Sequence, residues 1–150
     1  MKRSLVVAVT MMLVTTTAWA DQATAKKSLY ERIGGEAALR KVVDDFVAKA
    51  AVNPKVNFTR DGKFVTSDAA VKTLKMHLVN FLGNAFGGPQ KYTGRSMKEA
   101  HKGMAITQGE FDALAADLRS VLEANKVPNP EIAEIMKIAA STAPDIVEER

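Results

Sequence analysis

Both histidines of this chain, His77 and His101, fall within residues 68–104, and that stretch limits its possible folds more than any other. Leu74, His77, Leu78, Phe81 and Leu82 recur at spacings of three and four, so they share one face of a helix. Met97, Ala100, His101 and Met104 do the same on a second, shorter helix that ends at Gly103. Between the two, Gly87-Gly88-Pro89 can reverse the chain. Two apolar helix faces, each with one imidazole, can close on a flat apolar cofactor. Imidazole binds several metals, and axial ligation of haem iron is one of its uses. A pair of satisfied core histidines fits the same pattern.

The rest of the chain also reads as helix. Ser28-x-x-Glu31, Ser96-x-x-Glu99 and Thr107-x-x-Glu110 each fit a capping box, in which hydroxyl and carboxylate satisfy backbone N–H groups left unpaired at a helix start. Ser67 can cap the helix that carries His77, and Asn129-Pro130 fits an N-cap followed by a first-turn proline. Apolar periodicity predicts helices at about 29–33, 36–51, 68–86, 97–102, 108–125 and 131–143. Residues 53–66 carry two turn signals, Asn53-Pro54 and Asp61-Gly62, with Phe58 and Phe64 as anchors. No strand pattern appears. The expected class is all-α, with helices too unequal for a regular four-helix bundle.

With 150 residues, 47% of them hydrophobic, the chain suits one cored domain. Cysteine is absent, which excludes disulfides, zinc-thiolate sites and thioether-linked haem. Lys2 and Arg3, the apolar run Leu5–Val14 and Ala18-Trp19-Ala20 form the pattern of a cleaved export signal over residues 1–20. The apolar run is too short to span a bilayer. The expectation is an exported, periplasmic protein with no membrane association after cleavage, an extension at 21–27 and a domain at 28–147. Removing Lys2 and Arg3 leaves 19 basic and 17 acidic residues, a net of +2. So small an excess argues against nucleic acid as a partner. No phosphate-binding glycine loop is present, because neither Gly34-Gly35 nor Gly87-Gly88 lies in a strand-turn-helix context. Glu99 and His101 are two apart and do not share a helix face.

At the residues around the histidines the sequence resembles a group I truncated haemoglobin. Ser28-Leu29-Tyr30-Glu31-Arg32-Ile33-Gly34-Gly35 resembles the family's opening segment. Phe86-Gly87-Gly88-Pro89, then Tyr92-Thr93-Gly94-Arg95-Ser96-Met97, then His101 through Thr107 resemble the stretch around its proximal histidine. The resemblance implies a shortened globin, a two-over-two helical sandwich holding haem b. It implies His101 as the proximal iron ligand, Met97 near the ring and Tyr92 reaching a haem propionate. His77 stands where some cyanobacterial members carry a distal iron ligand. The pocket it implies includes Phe46, Val47, Phe58, Phe64, Leu74, Lys75, Leu78, Phe81, Leu82, Leu114 and Leu118. Two departures matter. Val47 stands where the family usually has a tyrosine, and Leu78 where it often has a glutamine.

With the leader at residues 1–20, the resemblance implies an exported haem protein, bis-histidyl and six-coordinate, a monomer or weak dimer. It would exchange electrons with a redox partner or bind a diatomic gas once His77 yields. A hydrogen bond to a polar gas ligand is worth ~1.5–3 kcal/mol. Its loss speeds oxygen release by roughly 10- to 150-fold, which places nitric oxide dioxygenation behind redox and binding roles. The alternative from another class is a cofactor-free helical interaction module, which would be colourless.

Overall fold

The computed structural model describes residues 26–148. The expected leader and most of the extension lie outside the described residues. Among the described residues seven helices follow one another: α1 (Leu29–Arg32), α2 (Gly35–Val52), α3 (Asp68–Ala85), α4 (Met97–His101), α5 (Gln108–Ala124), α6 (Asn129–Ala140) and α7 (Ala143–Ile146). Among the described residues there is no strand.

The helices start where local chemistry allows. All three expected capping boxes form, at Ser28–Glu31, Ser96–Glu99 and Thr107–Glu110. Ser67 accepts the Ala70 N–H at 3.2 Å and starts α3. The expected cap at Asn129 is displaced by one residue. Pro128 is the N-cap, with ψ at 148°, and Asn129 is already helical. Proline's fixed φ supplies the extended geometry that a cap needs, so no side chain is required there. α7 was not expected, because its four residues carry no periodicity and no side-chain cap.

The sandwich lays α2 and α3 over α5 and α6. α2 packs on both α3 and α5, and α5 packs on α6. Its centre is Leu39 and Val43 of α2, Leu122 of α5 and Ile135 of α6, all essentially without solvent contact. Fully burying one such side chain is worth about 1.5–3 kcal/mol. α1 is stapled to the far end. Its Tyr30 N–H donates to the Phe86 carbonyl at 2.9 Å, just past α3. Arg32 forks to Glu131, at 2.8 Å, and Glu134 of α6. The chain leaves α3 through Gly87, whose φ of +78° suits glycine. At Gly88 a Cβ would sit 2.6 Å from the Tyr30 ring, so only glycine lets α1 approach.

Residues 53–66 form linked turns rather than helix. Asn57, Arg60, Asp61 and Val65 all hold positive φ there. The segment is tied across the molecule by Arg60, which donates to Glu110 at 2.6 Å and to the Ala105 carbonyl at 2.9 Å. Of its two phenylalanines, Phe58 packs against the core, whereas Phe64 is exposed at the edge of a cavity.

Candidate functional site

A cavity of about 430 Å³ opens between α3, α4, α5 and the α6–α7 segment. That volume falls in the ~300–1,000 Å³ range of cofactor sites. α3 contributes Leu74, His77, Leu78, Phe81 and Leu82, and α4 contributes Met97, Ala100 and His101. Phe46, Phe64, Tyr92, Leu114 and Leu118 complete the expected part of the wall. The two histidine-bearing stripes read from the sequence therefore do face one space.

Three residues expected in the pocket are not in its wall. Val47 is 3% exposed and belongs to the core cluster. It follows Phe46 on α2, and neighbours on a helix point about 100° apart, so only Phe46 faces the cavity. Phe58 is turned into the core, as described above. Lys75 instead bridges α3 to α2 through Asp44 at 2.9 Å. The hydroxyl of Tyr92 likewise donates to the Arg95 carbonyl at 2.7 Å, within its own loop, so its proton is not directed at a propionate.

Other wall residues escaped the sequence reading of the pocket. Phe111, Ala115, Ile138 and Ala139 lie on apolar helix faces that periodicity does not distinguish from core, whereas Met104, expected on the His101 stripe, lines the cavity from the turn beyond α4, which ends at His101. Val65, Arg95, Thr142 and Ile146 come from loops or from α7, where periodicity carries no signal.

The local geometry of His101 is specific. Its Nδ1 lies 2.8 Å from the Met97 carbonyl, one helical turn back. A carbonyl can only accept, so Nδ1 carries the proton and Nε2 keeps its lone pair. This anchored imidazole is the arrangement by which metal-binding histidines are oriented. The short helix beneath it is set by its capping box. Ser96 N–H donates to Glu99 at 3.1 Å, and Glu99 N–H returns to the serine hydroxyl at 3.2 Å.

His77 lies on the facing helix, in the same wall, but exposed. Burial therefore does not force a partner on it, contrary to the expectation from its apolar stripe. What adjoins it is Tyr92, whose ring stands edge-on at 6.3 Å and makes a second edge contact with Phe81 at 5.4 Å. Such aromatic pairs favour one ring orientation over others.

Besides these, the polar side chains that the described residues place in the wall are Arg95 and Thr142. Among the described residues no group of three or more His, Cys, Asp or Glu could hold a bare metal ion. A metal held by these two imidazoles would bring its remaining ligands with it. An apolar slot with one imidazole on either side suits a metal in a flat macrocycle, and so the residues present fit haem.

Comparison with known proteins agrees. The sequence profile of the bacterial-like globins matches residues 28–148. The chain belongs to that family. It is 36% identical over 119 residues to a group 1 truncated hemoglobin of Mycolicibacterium paratuberculosis, covering 79% of this chain and 83% of that one. It is 35% identical over 120 residues to one from Synechocystis, covering 77% and 92%. Among solved structures, the truncated hemoglobin of Tetrahymena pyriformis in its Fe(III) form superposes with a TM-score of 0.73 at 28% identity, over 82% of this chain and all of that one. The 2/2 hemoglobin of Synechococcus, with covalently attached heme, gives 0.71 at 32% identity, again over 82% and 100%. The globin fold here is the two-over-two form and its cofactor is haem.

Proposed function

We propose that this globin is an exported, bis-histidyl haem protein that exchanges single electrons or binds a diatomic gas only after its distal histidine yields. Haem iron supplies the redox couple and the gas-binding position. The chain's residues decide access to both. His101 is the proximal ligand, presented through Nε2 by the Met97 carbonyl. His77 is the distal ligand, and this rests on one observation: it lines the same cavity from the facing helix. Tyr92, packed edge-on to His77, limits how the distal imidazole turns.

The wall around His77 is Leu74, Leu78, Phe81 and Leu82, which cannot donate a hydrogen bond, and Tyr92, whose hydroxyl already donates to the Arg95 carbonyl. A polar gas ligand is therefore held weakly once His77 moves aside. That supports electron transfer or gated binding over chemistry that needs a long-lived oxygen complex. The redox reading implies an electron-transfer partner.

Absorption spectra test the assignment. Two imidazoles make ferric iron low-spin, so the wild-type protein should be low-spin and His77→Leu high-spin, with faster CO association after reduction. A high-spin wild-type spectrum that the substitution leaves unaltered would remove His77 from the iron. Export rests on residues 2–20 and predicts a mature N-terminus at Asp21. Finding Met1 intact on natively produced protein would exclude it.

A further inference from the structure

The turn after His101 is clamped by a carboxylate from beyond α7. Gly103 and Ala105 donate their N–H groups to the two carboxylate oxygens of Glu148, each at 2.6 Å. Both residues hold positive φ, +80° and +50°. Their N–H groups thus converge on one anion, as in a backbone nest. Ala105 is not glycine, so its left-handed backbone persists only because surrounding contacts hold it. Those contacts are Glu148 on its N–H and Arg60 on its carbonyl, at 2.9 Å. Arg60 is itself fixed by Glu110 at 2.6 Å, with both side chains largely buried. The Glu148 N–H donates to the Ile106 carbonyl at 2.9 Å, and α7 packs against α4.

α4 has five residues, and His101 is the last of them. A helix of that length does not hold a direction by itself. Its start is fixed by Ser96 and Glu99. Its end is fixed by the clamped turn, since the Met104 N–H donates to the His101 carbonyl at 3.1 Å. We propose that Glu148 is a positioning residue for His101: by holding the Gly103–Ala105 turn it sets the direction of the imidazole and the hold on the cofactor. Arg60 assists through the Ala105 carbonyl. Neither residue is in the cavity wall, so both act through the turn. The inference rests on the reading of His101 as the proximal ligand.

The test uses full-length holoprotein in a His77→Leu background, where the reduced iron has one protein ligand. Resonance Raman reads the iron–histidine stretching band, and transfer to excess apomyoglobin reads haem release. Glu148→Ala should shift or broaden the band and speed release roughly 10- to 100-fold, the usual effect of removing a group that orients a metal ligand. Arg60→Gln should move both in the same direction by less. Should Glu148→Ala not fold, Glu148→Gln, which keeps one acceptor oxygen, should give an intermediate shift. A lower melting temperature with unchanged band and release rate would overturn the proposal, because Glu148 would then only be structural. Absence of an iron–histidine band in the His77→Leu parent would overturn the His101 assignment itself, and this inference with it.

Discussion

Removing the cap of α4 should loosen the haem without much disturbing the rest of the fold. The perturbation is Ser96→Ala. It deletes the hydroxyl that accepts the Glu99 N–H at 3.2 Å and donates to the Glu99 carboxylate at 2.8 Å, and it leaves the Ser96 N–H bond to Glu99 in place. Loss of such a cap costs about 1 kcal/mol, in a range of ~0.5–2. No residue of α4 is fully buried, so packing does little to make up the loss. If the α4 direction is what holds His101 to iron, that cost falls on the bound cofactor. Haem transfer to a protein acceptor should then speed about fivefold, within roughly 2- to 30-fold. Ser28→Ala is the control. It removes the same device from α1, which contributes nothing to the cavity wall. Both variants should lose roughly 3–6 °C in melting temperature, but only Ser96→Ala should release haem faster. Equal acceleration in the two proteins would show that α4 geometry does not govern retention, and the reasoning would fail.

Leu78 lines the cavity beside His77, so Leu78→Gln should supply a missing donor. With His77 also removed, oxygen release measured by stopped flow should slow by roughly 10- to 150-fold; an unchanged rate would mean that the new amide does not reach the ligand. Acid should weaken the protein through specific carboxylates. Glu31 is held below the ordinary value of 4.5 chiefly by the Ser28 N–H, and Glu148 by the N–H groups of Gly103 and Ala105. For Glu110 burial pushes upward, but the Thr107 N–H and Arg60 outweigh it and the net shift is also down. A depressed carboxylate contributes its stability fully above its unfolded pKa and loses it as pH falls through the folded value. The melting temperature should therefore be level above about pH 5 and fall below about 4.5, less steeply in Glu148→Gln; a level profile down to about pH 3 would contradict this.

The amino-acid sequence determined six of the seven described helices, the starts that a side chain caps and the apolar faces that carry the two histidines, because these follow from interactions within one or two turns. A capping box spans four positions, and Ser28, Ser96 and Thr107 behave as their spacing to a glutamate requires. The stripe Leu74–Leu82 and the stripe Met97–His101 needed only helical periodicity to place His77 and His101 on apolar faces. Tertiary structure decided what covers each face. Phe46 and Val47 are equally apolar neighbours, yet one lines the cavity and the other joins the core, since the choice depends on where α5 and α3 lie. Phe64 rather than Phe58 reaches the cavity because the turns of residues 53–66 are held by Arg60, whose partners lie in α5 and the turn after α4. The exposure of His77 was likewise invisible in an apolar stripe, which fixes a side of the helix but not the depth of its neighbours. Glu148 shows the limit most plainly. It meets the turn after His101 from 43 and 45 positions away, and no local pattern encodes a contact between a carboxylate and two N–H groups that only folding brings together.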